Sequence, residues 1–160
     1  MDCLRPFLNP SSVMLGIPRD QLDRKERAGL ALLTAMLLCG LGIAAWLSPD
    51  PSGHGTHRQL GLPPCSSVLA LGIKCPACGM TTSWALMIEG RIAEALVANV
   101  GGSLLFLVAF VSIPWLLWIL WSGKRRLKDQ WGMFALGGSA GSMLIAFATW
   151  AWSLLIQWRT

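Results

Sequence analysis

Cys65 and the run Cys75-Pro76-Ala77-Cys78-Gly79 are the residues whose types and spacing can do chemistry in this chain. At the start of a helix, two cysteines three apart have alpha carbons about 5 to 6 Å from each other, within disulfide range. Pro76 suits the first helical position, which makes Cys75 the cap, its sulfur facing free backbone amides and the positive end of the helix dipole. A thiol placed there has a lowered pKa and reacts readily. The same Cys-Pro-x-Cys-Gly turn is half of a typical zinc site, with Cys65 as a third ligand and His57 or His54, in the same loop, as a fourth. Three readings stay open: a structural knuckle or disulfide, a metal centre, and a redox pair of Cys75 and Cys78 with Cys65 resolving.

Other chemistry finds little support. The two histidines share one Gly-rich loop, where a lone His is ordinarily just solvated, and there is no nucleophile elbow for a hydrolase. Thr81, Thr82 and Ser83 read as helix-start residues satisfying free amides. A second thiol pair for disulfide exchange is missing, since Cys3 falls in a cytoplasmic tail and Cys39 in mid-membrane.

The elements that position these residues follow from composition. Of 160 residues, 54% are hydrophobic and 13% charged, with a mean hydropathy of +0.54. A soluble surface would need roughly twice that charge. Disorder, collagen and coiled coil are excluded on the same grounds. A bilayer core about 30 Å thick takes about 20 apolar residues in helix, and three uncharged runs satisfy this: 28–47, 101–121 and 132–156. Leu38-Cys39-Gly40 lacks the small residue a lipoprotein processing site needs. The first run is therefore an uncleaved anchor and Cys39 a buried small apolar residue. No span contains a charged residue, which argues against a transporter or channel acting by itself.

Lys and Arg near span ends fix orientation. Arg5, Arg19, Arg24, Lys25 and Arg27 precede the first span, and Lys124, Arg125, Arg126 and Lys128 lie between the second and third. With three spans both clusters fall on one side, which places the N-terminus in the cytoplasm and the C-terminus outside. Trp46, Trp150, Trp152 and Trp158 would mark the outer interface, and Trp118, Trp121 and Trp131 the inner one. The basic loop is a topology signal that touches anionic lipid; no nucleic acid is expected as a partner.

The organisation is therefore a cytoplasmic tail (1–27), a first span (28–47), an extracytoplasmic loop with the cysteines (48–79), an amphipathic helix interrupted by Gly90 (80–100), a second span kinked at Pro114 (101–121), a basic cytoplasmic loop (122–131) and a third span (132–156). Met80, Trp84, Met87, Ile88, Ile92, Ala95 and Leu96 give the amphipathic helix its apolar side, with Glu89, Arg91 and Glu94 opposite. It is interfacial or partly inserted. Gly137 and Gly141 have the spacing that lets helices approach, either within the monomer or in self-association.

The segment Cys75-Pro-Ala-Cys-Gly-Met-Thr-Thr, preceded by Cys65 and followed by Gly90, Ala95 and Asn99, resembles the bacterial membrane proteins of domain of unknown function 2752. The resemblance covers about residues 60 to 122. It departs at Thr82, where members of that family carry Arg. It implies a small multi-pass membrane protein and no particular activity.

The expectation is thus an all-α integral membrane bundle, with three transmembrane helices plus one amphipathic helix. It would serve as a non-catalytic accessory, assembly or binding subunit, in contact with the lipid bilayer and other membrane proteins. The alternatives are a metal or cofactor site, with zinc as the ion, through Cys65, Cys75, Cys78 and His57, and a thiol-disulfide oxidoreductase.

Overall fold

The computed structural model describes residues 21–53, 55–63, 65, 67, 70 and 73–157. Cys3, Arg5, Arg19, His54, Trp158 and most of the expected tail lie outside the described residues. The fold is all-helical: α1 (Arg24–Trp46), a 3-10 turn (Thr56–Leu60), α2 (Met80–Ile88), α3 (Ile92–Ala98), α4 (Val100–Ser122) and α5 (Arg125–Gln157).

α1, α4 and α5 are each long and apolar enough to cross a membrane. In their most apolar stretches only 17%, 33% and 11% of residues, respectively, are buried by protein. Apolar surface left outside on that scale needs lipid against it. α4 is the central helix, touching α1 on one side, α5 on another, and both short helices. Because lipid is as apolar as the side chains, close packing rather than burial holds such helices together. Gly101 supplies that closeness: a Cβ there would collide with the Ala146 Cβ and stand 2.6 Å from the Ser142 carbonyl on α5. On the neighbouring face, a Cβ on Gly102 would meet Ser83 Oγ of α2 at 2.5 Å.

α1 starts at Arg24 rather than at the first apolar residue, because Asp23 and Glu26 form a capping box: Asp23 caps the helix while its own N–H donates to Glu26 Oε2 at 3.1 Å. The expected loop 122–131 is short in the structure. Only Gly123 and Lys124 separate α4 from α5, and Arg125, Arg126 and Lys128 sit on the first turns of α5. At 1.5 Å per residue the 33 residues of α5 span about 50 Å, longer than a bilayer core. The two basic clusters meet at one end. The Leu22 N–H donates to the Gly123 carbonyl at 2.9 Å, and Glu26 takes Lys128 Nζ at 2.6 Å and Arg125 Nη2 at 3.5 Å. Leu22, Leu30, Leu116 and Ile119 form a small core beside them.

The expected amphipathic helix is two helices. Gly90 (φ +76°) closes α2, with the Arg91 N–H on the Leu86 carbonyl at 2.9 Å and the Gly90 N–H on the Met87 carbonyl at 3.1 Å. Those two bonds are the Schellman pattern that ends a helix at Gly. Arg91 then binds Glu89 and Glu94 in an exposed ion cluster at the corner. α4 runs unbroken through Pro114.

Candidate functional site

The cysteines gather at the end of the bundle opposite the basic clusters, where α1 and α5 end and α4 begins. The Sγ atoms of Cys65, Cys75 and Cys78 all lie within 4.8 Å of one another, each half-buried. Cys65 and Cys75 approach to 3.6 Å, well beyond the roughly 2.05 Å of a disulfide. The three are thiols in this structure.

Local hydrogen bonding explains why the pair shares a side. The Cys78 N–H donates to the Cys75 carbonyl at 2.9 Å, and the Met80 N–H to the Ala77 carbonyl at 3.2 Å, so Cys75 to Gly79 form consecutive turns. The helix begins only at Met80, with Gly79 as its cap. Cys75 is therefore not the helix cap expected from Pro76. Gly79 is required on two counts. Its φ is +86°, and a Cβ would stand 2.6 Å from the Ala98 carbonyl and 2.7 Å from the Gly53 carbonyl. The knuckle is pressed between the preceding loop and the end of α3.

Asn99 ties the knuckle to α4. Its Oδ1 accepts the Gly102 N–H at 2.7 Å, capping the helix, while its Nδ2 donates to the carbonyls of Pro76 and Cys78, both at 3.0 Å. Trp150 of α5 donates its indole N–H to the Lys74 carbonyl, the residue before Cys75. Trp84 of α2 donates to the Gly102 carbonyl at 3.0 Å and packs edge-on against Phe106. Four helices thus converge on one turn.

Burial, reinforced by the neighbouring sulfurs of Cys75 and Cys65, pushes the Cys78 thiol from an ordinary 9.0 up to about 11. That is the reverse of an activated nucleophile. A cleft of about 190 Å³ opens beside Cys75 and Cys78, bounded by Lys74, Asn99, Thr149 and Trp150.

Several expected site residues stand elsewhere. His57 is not among the group around the sulfurs; its Nε2 faces the Pro63 carbonyl at 3.3 Å. Cys39 is exposed on α1 rather than buried. Thr82 does not serve the start of α2. It is fully buried and its Oγ1 lies 2.8 Å from Thr56 Oγ1, joining α2 to the 3-10 turn. Ser83 Oγ donates to the Met80 carbonyl at 2.8 Å. Gly137 and Gly141 have open space beside them and line a groove of about 330 Å³ between α4 and α5. Asn99 and Trp150 have site roles that spacing did not announce. The signal for Asn99 was its place immediately before the apolar run at Val100, an ordinary N-cap position. Trp150 carried only the signal of an interface aromatic.

Fold and site together define an all-helical membrane protein with a cysteine knuckle clamped at one end of its central helix. Residues 65–113 match a family model described as "Protein of unknown function (DUF2752)", a span from the first of the three cysteines to the middle of α4. No curated protein and no solved structure matches the chain.

Proposed function

We propose that this protein is a non-catalytic accessory or assembly subunit of a bacterial inner membrane, in which the Cys-Pro-x-Cys-Gly knuckle is a structural and binding element on the extracytoplasmic side. The observation that carries this reading is the double grip of Asn99, which caps α4 and holds two knuckle carbonyls with the same side chain. A turn held in this way suits a fixed element.

Orientation rests on charge. Arg24, Lys25, Arg27, Lys124, Arg125, Arg126 and Lys128 share one end of the bundle, which the tendency of basic residues to stay inside assigns to the cytoplasm. The N-terminus is then cytoplasmic and the C-terminus outside, with α2 and α3 at the outer interface. The partners are the lipid bilayer and other membrane proteins, or a second copy through the open face at Gly137 and Gly141. The basic end touches anionic lipid rather than nucleic acid.

The test is disulfide trapping in living cells. Cys75→Ser and Cys78→Ser chains, quenched with an alkylating agent, should show no intermolecular mixed disulfide. A mixed disulfide that accumulates in one variant and disappears when its remaining knuckle cysteine is also replaced would establish the oxidoreductase instead.

A further inference from the structure

The three sulfurs come from two stretches of chain, Cys65 from one and Cys75 and Cys78 from the other, yet they meet within 4.8 Å. Nothing in the local backbone bonding needs them to meet. The knuckle turn is closed by its own N–H groups and gripped by Asn99 and Trp150, none of which involves a sulfur. With a Zn–S bond of 2.3 Å, two thiolates on a tetrahedral ion stand about 3.8 Å apart. Cys65 and Cys75 are already at 3.6 Å, and the remaining sulfur needs a shift of about 1 Å at most. No further His, Cys, Asp or Glu joins the group among the described residues. Cys75 and Cys78 border the cleft of about 190 Å³ that also holds Lys74, Asn99 and Trp150.

We propose that Cys65, Cys75 and Cys78 form a three-thiolate site for a soft d10 cation, Zn²⁺ being the ion of reference, with its fourth coordination position open to that cleft. Binding breaks three S–H bonds, releases three protons and forms three Zn–S bonds, with no electron transferred. The bound group carries a net charge of 2+ less three thiolates, or 1−. Lys74 lines the same cleft, and a neutral donor, water or an imidazole, completes the shell with least added repulsion. Three protein ligands with one place open differ from the closed four-ligand shell of a structural site. In a membrane subunit, that place is where a donor from a partner can enter. The inference rests on the knuckle being a binding element rather than a redox pair.

The experiment uses the full chain in detergent, with its thiols counted by alkylation first. Titration with Zn²⁺ against a chromophoric chelator should give one ion per chain. Co²⁺ in its place should give thiolate-to-metal charge-transfer absorption that shifts when imidazole is added. Cys65→Ser, Cys75→Ser and Cys78→Ser should each weaken Zn²⁺ binding at least tenfold, while Cys39→Ser and His57→Ala should leave it unchanged. Reduced wild-type protein that takes up no Zn²⁺ overturns the site without any appeal to variants. Loss of binding in His57→Ala overturns the three-thiolate assignment, and a Co²⁺ spectrum indifferent to imidazole overturns the open position. A trapped mixed disulfide, in the separate experiment above, overturns the parent reading.

Discussion

Asn99 holds Cys78 by its main chain: the amide of one donates to the carbonyl of the other at 3.0 Å, while the opposite side of the same amide caps α4. The knuckle and the central helix therefore cannot move independently.

Asn99→Ala removes a cap worth about 1 kcal/mol and leaves two carbonyls without their donor, so a loss of about 2–3 kcal/mol is expected. Asn99→Asp is the sharper variant. It keeps an acceptor for the Gly102 N–H but sets a carboxylate against the Pro76 and Cys78 carbonyls. Thermal unfolding in detergent should rank wild type above Ala and Ala above Asp. An Asp variant as stable as wild type would mean that capping alone accounts for this residue.

Gly79 and Gly61 both have positive φ, +86° and +76°, but only Gly79 has backbone oxygens where a Cβ would go. Gly61→Ala should cost about 1–2 kcal/mol, the left-handed penalty alone. Gly79→Ala should cost clearly more and expose the thiols to alkylation. Equal losses in the two variants would remove the tight seat of the knuckle from the account.

Burial and the neighbouring sulfurs push the Cys78 thiol up to about 11 in the folded, metal-free chain, so it is overwhelmingly protonated at neutral pH. Its alkylation should be slow at pH 7 and accelerate about tenfold per pH unit until the rate levels near pH 11. The sign is that of a raised acid: the protonated form persists above its ordinary range. Mass-spectrometric timing of modification at each cysteine measures this, and a plateau below pH 9 would contradict it.

Gly101 and Gly137 separate internal packing from an outward face. Gly101→Val should disrupt the α4–α5 pair, because Ala146 and the Ser142 carbonyl occupy the space a Cβ needs. Gly137→Val meets open space and should leave the fold intact while reducing any self-association, as seen by native mass or crosslinking. Unfolding by Gly137→Val would place that face inside the bundle.

The three spanning helices were legible because lipid demands long uncharged runs, and the sequence has three of them. The starts of α1 and α5 were less so. A hydropathy run begins where charge ends, whereas the helix begins where its amides find acceptors, at Asp23 for α1. The cysteine triad was legible as residue types, but the absence of His57 from it was not. His57 shares the loop with Cys65, and only the path of that loop turns its ring toward Pro63. The assignment of Cys75 as a helix cap failed because Pro76 fits a tight turn as readily as a helix start. Asn99 and Trp150 reach the knuckle from 21 and 76 residues away, a juxtaposition no local pattern encodes.

In the proposed orientation the sulfurs and the basic residues occupy opposite ends of one lipid-embedded bundle, with the sulfurs outward. Labelling intact spheroplasts with a membrane-impermeant maleimide checks this orientation, in a Cys39→Ser background after reduction. The knuckle cysteines should react from outside, whereas a Lys124→Cys variant lacking the three knuckle cysteines should react only after permeabilisation. Labelling of Lys124→Cys in intact spheroplasts, or protection of the knuckle until lysis, would contradict it.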